Sequence, residues 1–216
     1  MACKAYRVAC NFVLGLLDAD IDFAKGMIEA ALYCQELFPT EDYNCLWTEE
    51  ALLTEPEKIK VWLKQTLIDF PPPNDLVVIW LALACSITEQ EGYIIDLCFA
   101  GDSSEERMAI GVCGPDLPRY LPATHLAHSK FLRELAQKVD KLSFQARFLS
   151  EYVLGMTYAV LLARDLAKEY ASDLTGLRPR TIMAGFMAGD GIIIGKINAR
   201  RFTLSTFSEK RDTAER

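Results

Sequence analysis

Asp18, Asp20, Asp22 and Glu29 are the side chains in this sequence whose types and spacing come nearest to a metal site. Oxygen ligands at positions 1, 3, 5 and 12 form a calcium loop of the EF-hand type. Apolar segments flank the run on both sides, as that motif requires. The pattern departs at two places. Phe23 stands where the loop needs a glycine for its sharp turn, and Lys25 takes a position that is normally apolar. Without that glycine the chain cannot easily wrap an ion. Helix capping suits these residue types better. Carboxylates just ahead of a helix that starts near Phe23 accept its unpaired N–H groups and oppose the positive end of its dipole.

His125, His128 and Cys113 are the candidates for acid–base or nucleophilic chemistry. The only two histidines lie three residues apart, on one face if the turn is helical, and a third metal ligand would have to come from Cys113 or Asp116. Cys113, in Cys-Gly-Pro, is the only cysteine close to a histidine in the sequence. A thiol–imidazole pair needs spatial contact and a depressed thiol pKa, and sequence shows neither. There is no GxSxG elbow. Gly189 to Lys196 imitates a phosphate loop but fails on spacing. Asp190 and Ile197 stand where a Walker-type loop needs Gly and Ser or Thr, and Ile194 where a dinucleotide loop needs its third Gly. Glu151 lies in the most apolar helical stretch, where a carboxylate needs a partner, and Arg147 one turn earlier is the expected one. Arg178, Arg180, Arg200 and Arg201 bracket a C-terminal hairpin. They are expected to solvate a sheet edge, with an acidic or phosphate ligand as the alternative.

The elements that must carry these residues follow from periodicity. Residues 76–87 form an almost wholly apolar run, the mark of a strand covered on both faces. Residues 93–100 and 108–113 alternate, which completes a three-strand meander. Phe23–Phe38 is helical, with Met27, Ala30, Ala31, Cys34 and Leu37 on one face. Thr54 and Glu57 form a capping-box pattern with Pro56 in the first turn, so a helix is expected over 55–70. Pro71-Pro72-Pro73 ends it. Residues 5–17 are ambiguous between helix and buried strand. Helices are expected over 129–142 and 144–172, then a hairpin around Gly189-Asp190-Gly191 and a further strand over 202–207. The fold class is α+β: an antiparallel sheet, built from the meander and the C-terminal hairpin, packed with helices from the N-terminal third and from 129–172. The chain reads as one domain over 1–207, with a helical part over 1–70, the sheet and its helices over 74–207, and a charged, disordered tail over 208–216.

Composition narrows function mainly by exclusion. Residues 1–123 carry 8 Lys/Arg against 20 Asp/Glu, and residues 124–216 carry 15 against 10. That balance argues against nucleic acid, which needs a dominant basic face. No apolar run reaches the length of a membrane helix. Lys4, Arg7 and the apolar stretch 8–17 imitate the start of a signal peptide, but three aspartates follow where a cleavage site would need small residues. Seven scattered cysteines without a CxxC behave as small hydrophobes in a reducing compartment. The expectation is a soluble, acidic, cytoplasmic protein with no cofactor and no bound metal. It acts by binding another protein, a basic one, as an inhibitor or neutralising partner would. Glu41, Asp42, Glu49, Glu50, Glu55 and Glu57 would form the binding face. The alternative is a small-molecule binder or hydrolytic enzyme using His125, His128 and Cys113.

The cysteine reading has a direct test. Thiol alkylation of the unreduced, denatured protein should add seven adducts by mass. A deficit of two would reveal a disulfide and overturn the compartment assignment.

Overall fold

The computed structural model describes residues 2–43, 45–90, 92–104, 117–187 and 191–205. Five helices and six strands are found there: α1 (Ala2–Asp18), α2 (Phe23–Leu37), α3 (Glu49–Asp69), β1 (Val78–Thr88), β2 (Gly92–Asp102), β3 (Leu126–Ala127), α4 (Lys130–Val139), α5 (Phe144–Glu169), β4 (Arg180–Phe186), β5 (Gly191–Asn198) and β6 (Arg201–Leu204). The architecture is α+β. The sheet order is β3-β2-β1-β4-β5-β6.

The ambiguous stretch 5–17 is helical. Ala9, Cys10, Val13, Leu14 and Leu17 recur at helical spacing and are buried, while Arg7 and Asn11 are exposed. The next helix but one starts earlier than its capping-box pattern suggests. Thr48 is its N-cap, accepting from the Ala51 amide at 3.1 Å. Thr54 lies inside the helix, its hydroxyl donating to the Glu50 carbonyl at 2.9 Å, and Pro56 lies inside as well. A Thr-Glu-Glu start satisfies both the cap and the dipole, so it wins over the downstream pattern.

β1 and β2 pair antiparallel along their whole length, from Val78 opposite Asp102 to Thr88 opposite Gly92. β4–β5 and β5–β6 are also antiparallel. The exception is the junction. β4 lies parallel to β1, Val78 beside Thr181 through Leu83 beside Phe186, so the sheet is mixed rather than purely antiparallel. The reason is the connection: α4 and α5 carry the chain across the sheet before β4, and a crossover of that length permits parallel pairing. The expected third strand of the meander, 108–113, lies outside the described residues, as do 206–207 of the last expected strand and the tail 208–216. The short β3 pairs beside β2 instead.

Pleating sorts the sheet residues onto two faces. Ile79, Leu81, Leu83, Ile95, Leu97, Phe99, Ile182, Ala184, Ile192 and Ile194 join the helices in one large core. Val78, Trp80, Ala82, Cys98, Ala100 and Met183 form a smaller buried cluster on the opposite face. α5 lies centrally against the sheet, touching β1, β4, β5 and β6 as well as α1, α2 and α4.

Two glycines should respond in opposite directions to alanine. A Cβ on Gly195 in β5 would stand 2.3 Å from the Thr203 backbone carbonyl of β6, whereas one on Gly15 in α1 meets nothing within 4 Å. Gly195→Ala should therefore destabilise by about 1–3 kcal/mol through overpacking. Gly15→Ala should stabilise by up to about 1 kcal/mol through helix propensity. Chemical denaturation of the two variants checks both signs.

Candidate functional site

The four carboxylates of the calcium-like run do not converge. Asp22 is the N-cap of α2, its Oδ1 accepting from the Lys25 amide at 2.9 Å. Asp20 has a left-handed backbone, φ 49°, and its Oδ1 accepts from Lys168 Nζ at 2.7 Å, with Arg164 Nη1 3.4 Å away. The hydrogen bond from Lys168 holds the Asp20 carboxyl below its usual range. Asp18 closes α1, and Glu29 lies on α2 beyond the cap.

The histidines do not share a helical face. They bracket the two residues of β3. His125 Nδ1 lies 2.8 Å from the Pro122 carbonyl oxygen, and His128 reaches over the sheet edge to Asp96. Cys113 lies outside the described residues. At the sheet edge, Asp96 of β2 is buried and accepts from Arg133 Nε at 3.1 Å and Nη2 at 3.2 Å, a forked pairing. His128 Nδ1 is 3.3 Å from Asp96 Oδ2 and 3.1 Å from Arg133 Nη2. Nδ1 donates to the first or accepts from the second, so the two contacts belong to different tautomers. An open groove of about 470 Å³ lies here, lined by Gln90, His128, Lys130, Arg133, Glu134 and Gln137. Sequence spacing could not find this group, because Asp96 and Arg133 come from different elements.

The six acids of the expected binding face separate into two kinds. Glu49 and Glu50 are exposed in the first turn of α3, and neither side chain has an ion pair among the described residues. Asp42 is exposed. Glu57 is exposed and pairs with Lys60 at 2.7 Å, and Glu41 accepts from the Ser143 amide at 3.2 Å. Glu55 departs from the expectation: it is 2% exposed, facing inward from α3. Its Oε1 accepts from the Tyr158 hydroxyl at 2.6 Å and from the Ser129 hydroxyl. Ser129 also caps α4 through the Leu132 amide at 3.0 Å. Burial, reinforced by Glu55, raises the Tyr158 pKa far above its usual value. One carboxylate thus ties α3, α4 and α5 together.

No protein-family model, no curated protein and no solved structure matches this chain.

Two further expectations change in detail. Glu151 takes its hydrogen bond from the Tyr93 hydroxyl of β2, and Arg147 forms its ion pair with Asp140 at 2.7 Å while lying over the Tyr93 ring. Arg180 does not solvate the hairpin edge. It is fully buried and donates to the Leu174 and Pro73 carbonyls, which clamps the start of β4 to the proline connector. Burial lowers its pKa. Arg200 and Arg201 do lie at the β5–β6 turn, where Ala199 and Arg200 both have positive φ.

Burial raises the Glu151 carboxyl above its ordinary 4.5, with Tyr93 and Arg147 opposing the rise and Asp140 adding to it. The folded state then holds a proton that the unfolded state releases first. Stability from this group is present at low pH and declines as pH rises from about 4.5 through the raised value. Urea unfolding across that window should show the decline in the wild type and a shallower one in Glu151→Gln. Identical pH slopes would refute it.

Proposed function

We propose that this chain acts by binding another protein through the acidic face between α2 and the start of α3. The observation that supports this reading is that folding leaves the acids there exposed: Asp42, Glu49, Glu50 and Glu57 face solvent, and only Glu55 is withdrawn into the core. Between Lys25 and Lys58 the chain has no lysine or arginine. A surface of this acidic balance, its Glu57 paired with Lys60, speeds encounter with a basic partner and loses that advantage as salt rises. A masking or neutralising role toward a basic protein fits such a surface. None of the described helices is long and apolar enough to cross a membrane.

A second reading rests on the Asp96–Arg133–His128 group. An imidazole steered by a buried carboxylate beside an open groove is the arrangement of a small-molecule binder or general base. On this reading His128 is the working histidine and His125 is not, since the His125 ring faces a backbone carbonyl.

Affinity capture from a lysate of the native cell, with the full chain as bait, decides between them. The wild type should retain a defined protein that raised salt releases and that Glu49→Lys/Glu50→Lys fails to hold, with the melting profile unchanged. His128→Ala should retain it fully. Retention that ignores the charge reversal would overturn the binding reading.

A further inference from the structure

Beside the acidic face, α2 breaks the rule that an outer helix turns polar residues to water. Its inward side is already occupied by Phe23, Met27, Ala30, Ala31 and Cys34. Yet Ile28 and Leu32, one turn apart on the opposite side, are 46% and 54% exposed. They form one wall of a groove of about 170 Å³ whose lining is Ile28, Ala31, Leu32, Gln35, Tyr43 and Trp47. That space suits a single large apolar side chain.

The groove is built in advance. Gln35 Nε2 donates to the carbonyls of Pro39 and Glu41, at 3.3 and 2.8 Å, and the Gln35 carbonyl accepts from the Tyr43 amide at 3.4 Å. One side chain therefore fastens the loop that forms the second wall. The Tyr43 ring is buried, and its hydroxyl lies 2.6 Å from Ser150 Oγ of α5. Trp47 stacks on Phe131 of α4, ring centres 5.7 Å apart. Lys138 of α4 holds the Cys45 and Leu46 carbonyls. A pocket held this way costs little further ordering on binding, and tryptophan and tyrosine are the side chains that most often anchor interfaces.

The charge around the groove narrows the occupant. All six lining residues belong to the segment between Lys25 and Lys58, which carries Glu29, Glu36, Glu41, Asp42, Glu49, Glu50, Glu55 and Glu57 and no basic residue. Glu55 alone of these is in the core. A ligand that seats an apolar side chain here meets a segment of strongly acidic balance, offset in part by Lys138 of α4 at the Cys45 and Leu46 carbonyls, so basic flanks suit it best. None of the described residues lining the groove belongs to a strand, so an extended peptide would find no sheet edge there for its backbone. A helix satisfies its own backbone and presents side chains only.

We infer that the α2–Trp47 groove is the anchor pocket for a basic amphipathic helix of a partner protein, with Leu32 and Trp47 flanking the inserted apolar side chain. This rests on the protein-binding reading above and adds the pocket and the partner's chemistry to it.

The test uses the full chain and three synthetic peptides. The first is an amphipathic helix with leucines on one face and lysines and arginines on the other. The second has its composition in scrambled order, and the third replaces its basic residues with glutamate. The readout is the Trp47 indole resonance, assigned through Trp47→Phe, together with the dissociation constant. The first peptide should shift that resonance and bind at least about tenfold tighter than the other two. Raised salt should weaken it, and Leu32→Gln, a polar change on an exposed helical position, should cost about tenfold. Equal binding of the scrambled peptide, untouched by Leu32→Gln, would overturn the pocket while leaving the acidic face as a binding surface. Equal binding of the glutamate peptide would overturn the charge argument for the occupant. No binding of any peptide, or self-association abolished by Leu32→Gln, would also overturn the inference, the latter by making the occupant a second copy of this chain.

Discussion

The burial of α5 on nearly every side is the constraint on which the rest of the structure depends. From Val153 to Ala163 no residue of this helix is exposed, so it forms a layer between the sheet and the N-terminal helices. Such a layer needs close approach on both sides. Toward the sheet, Gly155 faces Leu83 and Phe186, where a Cβ would come within 3.0 Å of both side chains. Toward α2, Gly26 faces Leu161, where a Cβ would come within 2.3 Å of a methyl group. Small residues at the two crossings let large ones interlock elsewhere. α1 and α2 then have no freedom but to pack their apolar stripes on the outer side of α5.

Directional polar contacts fix what hydrophobic packing leaves free. Apolar burial is non-directional and could tolerate α3 at several angles. The Glu55 carboxylate, reached by Ser129 and Tyr158, sets one end of that helix. Trp62 Nε1 donating to the Thr124 carbonyl at 3.0 Å, and the Tyr170 hydroxyl donating to the Lys60 carbonyl at 3.1 Å, set its middle. Tyr120, whose hydroxyl donates to the Phe70 carbonyl, holds its far end. Arg180 does the same for the start of β4. Removing one partner of such a buried contact leaves the other unsatisfied, which is why each specifies position more sharply than it adds stability.

The proposed binding surface lies where these constraints end. Gln35 and Lys138 hold the loop after α2, and the chain from 26 to 57 carries eight acids and no lysine or arginine. The β3 edge of the sheet carries a different polar group. There Arg133 pairs with Asp96, and His128 lies within hydrogen-bond distance of both.

Periodicity and local capping determined much of this protein from sequence. The long strands at 76–87 and 93–100, the C-terminal hairpin itself and the Asp22 cap follow from contacts within a few residues, where one-dimensional patterns hold their information, and the α+β class follows from the order of those elements. The site was legible only in part. Glu49 and Glu50 could be read as exposed, because they stand in a polar run at a helix start. Glu55 could not be told from them, since its inward direction depends on where α3 sits against Ser129 and Tyr158. The same holds for Arg180, for Glu151 and its tyrosine, and for the histidines at β3. Parallel pairing of β1 with β4, the Asp96 group and the α2–Trp47 groove were decided only by tertiary structure. The first two join residues far apart in the chain, and the groove, though its lining is local, is held by Phe131, Lys138 and Ser150; whether a side chain is solvated, paired or buried is set by the neighbours that folding brings to it.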